Sequence, residues 1–272
     1  MHLQDYFDRI HYTGSATATL DTLQELHYLH PQYIPFENIN PFTACEVKLD
    51  MPAIAQKLIY ENRGGYCYEQ NLLFKEVLTR LGFQVAGLAA RVSWTLPPDQ
   101  VSTKTHMLLL ITLDGQRYIA DVGFGAVTLT SPLLFQPDII QQTRHEKFRI
   151  LQEGDIYLLE ILLHNEWIPV YRFNLEEQHF VDYKVANWYV STHPDSHFVH
   201  ELIAAKAGPG VRYTLRNGVF TTHYLSGEKD RQRLISGAAV KAVLNNLFGI
   251  PVGNIGELDE ALERIFNTPA SA

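Results

Sequence analysis

The stretch Arg63-Gly64-Gly65-Tyr66-Cys67-Tyr68-Glu69 sets two glycines ahead of a cysteine at the start of a helical pattern. Downstream, Leu72, Leu73, Phe74, Val77, Leu78 and Leu81 fall at helical spacings, and Gly82 stands where a C′ glycine ends a helix. Cys67 is therefore expected at a helix N-terminus, where unsatisfied N–H groups and the macrodipole favour an anion. A thiolate is such an anion, and it is the nucleophilic form of the side chain. Gly64 and Gly65 permit a sharp turn and leave room for a substrate to approach. An inert buried thiol would fit the same local pattern, so the distinction turns on whether Cys67 has partners.

Upstream, Leu3, Tyr6, Phe7 and Ile10 form one apolar stripe, and Leu20, Leu23 and Leu26 form a second behind a Thr19 cap. His27 and His30 are read as surface residues of that second helix. A third helix starts at Asp50 with Pro52 just inside it. Between them, Ile34-Pro35-Phe36-Glu37-Asn38-Ile39 is held extended by its proline, and Glu37 is expected to clamp Arg63. Beyond Gly82 the period becomes strand-like. Residues 84–94, 103–113, 116–122, 147–151, 156–163 and 167–173 read as an antiparallel sheet or barrel, with a loop at Pro97-Pro98-Asp99. Residues 182–210 read as irregular. A hairpin follows over 211–215 and 218–223. Two helices close the chain, one ending at Gly249 and one carrying Leu258, Ala261, Leu262, Ile265 and Phe266.

Asp114-Gly115 is a two-residue hairpin signal. It pairs Leu113 with Gln116, so Leu108 faces Asp121 and His106 faces Gly123. His106 and Asp121 then share one face of the ladder a diagonal step apart, about 7–8 Å between backbones, within reach of two polar side chains. A cysteine nucleophile needs a base, and the base needs an orienting group. The pattern predicts a Cys67–His106–Asp121 triad.

The 272 residues give room for two domains, or three small ones, and the 46% hydrophobic content suits a sizeable core. A net charge of −8 without a basic run argues against nucleic acid or an anionic membrane as partner. The first thirty residues hold no apolar core, so no secretory leader is expected. Apolar runs such as residues 107–111 are too short to span a bilayer. Two cysteines, Cys45 and Cys67, make no disulfide framework and fit a reducing cytoplasm; a bridge between them would consume the nucleophile. There is no Walker loop, no complete G-x-G-x-x-G and no H-E-x-x-H. His193, His197 and His200 surround Pro194 and Asp195 in what reads as a loop, and no metal is expected there.

The assembled residues resemble the arylamine N-acetyltransferase family. The matches are Ile34-Pro35-Phe36-Glu37-Asn38, Arg63-Gly64-Gly65-Tyr66-Cys67-Tyr68-Glu69, Thr105-His106 and Ala120-Asp121-Val122-Gly123-Phe124-Gly125, in the family's order. Tyr6-Phe7-Asp8-Arg9-Ile10 and Ser196-His197-Phe198 also look like family segments. The resemblance implies an α+β fold with a cysteine-protease/transglutaminase-like core: an N-terminal helical bundle over residues 1–83 carrying the nucleophile, a central antiparallel β-barrel over 84–188 carrying His and Asp, and a C-terminal α/β lid over 189–272. It implies catalytic roles for Cys67, His106 and Asp121, with acetyl-CoA as co-substrate and no metal. It implies an arylamine, arylhydrazine or N-hydroxyarylamine acceptor held by Phe36, Tyr68, Phe124 and Phe198. Gly125 would lie toward CoA. It also implies a cytoplasmic enzyme of bacterial size. A thiol hydrolase or an amide synthase could use the same triad, and a non-enzymatic aromatic-ligand binder could keep the fold with an inert Cys67.

Overall fold

The structure, a computed structural model, describes residues 1–97, 100–253 and 255–267. Positions 98 and 99 of the expected Pro97-Pro98-Asp99 loop lie outside the described residues. The N-terminal region holds α1 (Leu3–Ile10), α2 (Leu20–Tyr33), β1 (Phe36–Glu37), α3 (Ile39–Phe42), α4 (Met51–Ala55) and α5 (Cys67–Arg80). The helix starts follow the caps in the sequence. Thr19 Oγ1 accepts the Thr22 amide, and Asp50 caps α4, which runs on into a π-turn over Gln56–Tyr60. At the C-terminus of α5, Gly82 takes φ +96°. The Gly82 amide bonds to Thr79 O and the Phe83 amide to Leu78 O, a Schellman closure. The extended segment contributes only β1 before α3 begins.

An eight-stranded antiparallel sheet follows, made of β2 (Gln84–Val92), β3 (His106–Leu113), β4 (Gln116–Ala120), β5 (Leu133–Leu134), β6 (Ile140–Gln142), β7 (Lys147–Glu153), β8 (Ile156–Leu163) and β9 (Glu166–Phe173). Its order is β5-β4-β3-β2-β9-β8-β7-β6. The sheet curls nearly into a barrel. Its two edges meet through a side chain, since Gln141 accepts the Leu134 amide at 2.8 Å and donates to the Leu134 carbonyl at 2.9 Å. At the β3–β4 turn Asp114 and Gly115 both have positive φ, 48° and 77°, the type I′ signature. The register is the expected one, Leu113 with Gln116 through Leu109 with Ala120.

β3 is buried on both faces. Leu108 packs inside the barrel with Ile119, Phe148 and Tyr171, while Met107, Leu109 and Ile111 pack against the helices. Two covered faces explain its near-continuous apolar run.

The expected irregular region is corrected by the structure. It contains α6 (Phe180–Thr192) and β10 (Ile203–Gly208). α6 buries Tyr183 and Val190 but exposes Val181, Val185 and Trp188, so its sequence lacks one apolar stripe. β10 is built of small residues and shows no clear alternation. It joins β1 to β11 (Val211–Arg216), β12 (Val219–Tyr224) and β13 (Lys229–Arg233) in a five-stranded sheet ordered β1-β10-β11-β12-β13. α7 (Gly237–Val243), extended by a π-turn over Leu244–Phe248, and α8 (Leu258–Asn267) pack on that sheet through Val240, Leu244, Phe248 and Leu262. Among the described residues no helix is long and apolar enough to cross a membrane.

Candidate active site

α5 and the β3–β4 hairpin bring the predicted site together. Cys67 is the first residue of α5 and is buried, with Sγ 3.8 Å from the Thr105 carbonyl. His106 opens β3, and its Nε2 lies 2.7 Å from Asp121 Oδ2. Burial disfavours the His106 imidazolium, but the Asp121 charge and hydrogen bond outweigh it, and the Cys67 side chain adds to the same direction. Together they push the imidazole up to about 10. Burial would raise the Asp121 carboxyl; the facing imidazole, Asn71 and the Gly123 amide overcome that and hold it below the usual range.

Asp121 lies one residue past the last β3–β4 pair, so its peptide needs other anchors. Oδ1 accepts from Asn71 Nδ2 at 3.0 Å and from the Gly123 amide at 2.9 Å. Its carbonyl accepts from Thr128 Oγ1, and its amide donates to His27 Nε2 at 3.1 Å. The Tyr171 hydroxyl is close enough to feel the carboxylate but falls outside hydrogen-bond geometry. Asn71 also bonds Met107 O and the Val122 amide, tying α5 to β3 and to the segment that follows β4.

The turn into α5 rests on buried charge. Arg63 Nη2 reaches Glu37 Oε1 at 2.6 Å, the expected clamp, and Glu37 Oε2 accepts the Ile39 amide at 2.6 Å. Lys57 Nζ is 2.8 Å from Glu69 Oε1, while Glu69 Oε2 accepts the Tyr66 amide. The glycines here are steric requirements. A Cβ on Gly64 would collide with the Pro35 carbonyl, and one on Gly123 would come within 2.8 Å of Cys67 Cα.

The four aromatic residues assigned to the acceptor pocket are placed differently. Phe124 packs edge-on to His106 at 5.1 Å and lies 5.6 Å from Tyr171. Phe36 and Phe198 pack together at 6.0 Å. Gly125, with φ +99°, lies against the Phe36 ring, which an added Cβ would approach to 3.3 Å. Tyr68 is 1% exposed, and its hydroxyl donates to Thr105 O at 2.7 Å. A cavity of about 820 Å³ lined by Phe42, Lys48, Phe180, Lys184 and Trp188 contains none of the triad side chains. Cys45 and Cys67 are unpaired, and among the described residues no cluster of three or more His, Cys, Asp or Glu could hold a metal.

His27 and His30 correct the sequence reading. Both are fully buried, not on the helix surface. Residues 23, 26, 27 and 30 follow the i, i+3, i+4, i+7 spacing, so both histidines continue the buried stripe of Leu23 and Leu26; their polar character, not their spacing, suggested the surface. His27 packs edge-on against Phe74. Gln70 and Asn71 were also missed; their signal was a run of polar residues, Glu69-Gln70-Asn71, in the first turns of an otherwise apolar helix.

A family model described as N-acetyltransferase matches residues 19–256. An arylamine N-acetyltransferase of Escherichia coli (strain K12) is 42% identical over 92% of this chain and 89% of its own length. An arylamine N-acetyltransferase / N-hydroxyarylamine O-acetyltransferase of Salmonella typhimurium is 36% identical over 93% and 90%. The structure of the Mycobacterium marinum arylamine N-acetyltransferase in complex with CoA superposes with a TM-score of 0.93 at 38% identity, covering 97% of this chain and 99% of that one.

Proposed function

This chain belongs to the arylamine N-acetyltransferase family and transfers acetyl groups from acetyl-CoA; from that premise we propose that Cys67 carries the acetyl group between the two substrates. The observation that carries the reading is the contact of His106 Nε2 with Asp121 beside a cysteine at a helix start. His106 takes the thiol proton, and Asp121 stabilises the imidazolium. The Cys67 thiolate attacks the thioester carbonyl, and the tetrahedral oxyanion is met by the Cys67 backbone N–H. Collapse breaks the carbon–sulfur bond to CoA, whose sulfur receives the proton from His106. An acetyl-Cys67 thioester remains.

The second half-reaction reverses the roles. The acceptor nitrogen, or the oxygen of an N-hydroxyarylamine, attacks acetyl-Cys67. His106 takes its proton, and Cys67 leaves as the thiolate. A thioester intermediate divides one hard transfer into two easier ones. Arylamines are weak bases, so the neutral nucleophile is already present at pH 7. Phe124, Phe36 and Phe198 supply faces on which an aromatic acceptor can stack, and Tyr68 braces Thr105 behind them. Gly125 keeps the approach toward CoA open. The division into residues 1–83, 84–188 and 189–272 is part of the same proposal. So is a cytoplasmic location, which the unpaired Cys45 and Cys67 support.

Intact mass after mixing the protein with acetyl-CoA and no amine tests the reading. One acetyl group mapping to Cys67, removed when an arylamine is added, is the expected result. A folded protein whose Cys67 stays a free thiol would overturn it, and loss of the acetyl group to water as fast as to amine would make the enzyme a thiol hydrolase.

A further inference from the structure

Two wholly buried imidazoles on α2, His27 and His30, take no part in the steps above. Building on the acetyl-Cys67 reading, we propose that His27 is a positioning residue: as the neutral Nδ1–H tautomer it fixes Asp121 by accepting that residue's backbone amide. A backbone N–H only donates, so the 3.1 Å contact with His27 Nε2 requires a lone pair there and puts the ring proton on Nδ1.

This bond has a particular place. The β3–β4 ladder stops at Ala120, so the Asp121 amide has no strand partner. The other anchors of Asp121 come from α5, from its own turn and from Thr128. His27 alone reaches it from α2. Without an acceptor the amide would be buried and unpaired, and the peptide would rotate to satisfy it. The carboxylate would then leave His106. A cationic His27 would fail differently. Its Nε2–H would point at another N–H, and its charge would compete with His106 for the carboxylate. The groups around it keep it neutral. Burial pushes His27 down to about 4 against the opposing pull of Asp121. The Phe74 ring packs on it from α5, and His30 lies one turn along its own helix.

His30 is the matched comparison. Gln70 Nε2 donates to the Pro35 and Gly65 carbonyls at 2.8 and 3.1 Å. Gln70 Oε1 must therefore accept from His30 Nε2 at 2.6 Å, and His30 Nδ1 accepts from the Tyr6 hydroxyl. His30 is thus the opposite tautomer. Its polar contacts are with Gln70 and Tyr6, not with Asp121. The two residues are equally buried on one helix, so a general packing effect would appear at both.

The test is the pH profile of Cys67 alkylation by iodoacetamide in the full-length chain, read by peptide mapping with Cys45 as internal reference. His27→Leu removes the acceptor. His27→Gln places an oxygen near the former Nε2 position. We expect His27→Leu to move the alkylation midpoint up by at least about one pH unit, about tenfold in rate below the midpoint. His27→Gln should return most of that shift, and His30→Leu should leave the midpoint unchanged. A wild-type midpoint in folded His27→Leu would overturn the proposal. So would a His27→Gln profile no better than that of His27→Leu, or an equal shift in His30→Leu. If His27→Leu does not fold, His27→Asn, whose oxygen falls short of the amide, replaces it, and equal profiles for His27→Asn and His27→Gln count against the proposal. Alkylation uses no acetyl-CoA, so failure of the acetyl-Cys67 reading would show separately as an unacetylated wild-type chain.

Discussion

Asp121 has a different demand on each carboxylate oxygen. Oδ2 must accept from His106, while Oδ1 accepts two donors, Asn71 Nδ2 and the Gly123 amide. An asparagine can keep an oxygen on only one side. The two donors on the Oδ1 side would claim it, turning an NH₂ toward His106 Nε2. The imidazole would then carry its proton on Nδ1 and could not take one from the thiol. Asp121→Asn is therefore expected to slow CoA release in the first half-reaction by about 10³-fold or more, as the wrong tautomer does in comparable triads. A folded variant within tenfold of wild type in a stopped-flow thiol assay would contradict this. The pairing of His106 with Asp121 was legible in the sequence, because a two-residue turn fixes which residues share a face. The anchors Asn71 and His27 were not, since both come from elements outside the hairpin.

Between elements, the decisive junction is the one joining β1, α4 and the turn into α5. Glu37 and Glu69 share Lys57, and Arg63 completes the set. Burial would raise Glu37, but Arg63 and Lys57 outweigh it and hold the group ionised; burial dominates at Glu69 and raises it. Removing the Glu37 charge leaves a largely buried guanidinium short of its partner. Glu37→Gln is expected to cost about 3 kcal/mol of stability in urea unfolding and to slow Cys67 acetylation as the turn loosens. An unchanged midpoint together with unchanged acetylation would show that the clamp is dispensable. Sequence identified this clamp from one glutamate and one arginine flanking two motifs. It did not identify α6 or β10. α6 turns Val181, Val185 and Trp188 outward while burying Asn187, which bonds Tyr66 and Val47. β10 is built of small residues and pairs with β1 in the same sheet, so neither element shows the periodicity of a single buried face.

Over the whole molecule, the two sheets meet behind the site. Arg212 of β11 forms a bidentate pair with Glu146 and donates to Thr128 O at 2.9 Å. Thr128 in turn holds the Asp121 carbonyl. The lid sheet is thereby linked to the turn that carries Asp121. Titration provides a measurement at this scale. Burial lowers His27 to about 4 and His30 to about 3, and it lowers His145, His197 and His223 as well. The unfolded chain binds protons at these groups before the folded one does. Their contribution to stability is therefore fully present above about pH 6.5 and is lost as pH falls toward the folded values. The melting temperature should fall between pH 6.5 and 5, above the carboxylate range. His30→Gln, which removes one of these groups while keeping a donor toward Gln70, should flatten that slope. A slope unchanged in His30→Gln would mean that His30 does not titrate with unfolding.

The sequence by itself determined the features governed by neighbours along the chain. These are the helix start at Cys67, its Gly82 stop, the Asp114-Gly115 turn, the hairpin register, and with it the shared face of His106 and Asp121. Caps and two-residue turns act over a few residues, so their geometry is written locally. Only the tertiary structure decided that His27 and His30 are core groups in opposite tautomers, and that β1 is the edge strand of the lid sheet. Periodicity records one buried face of an element. It does not record which polar side chains on that face are satisfied, because their partners lie far away in sequence.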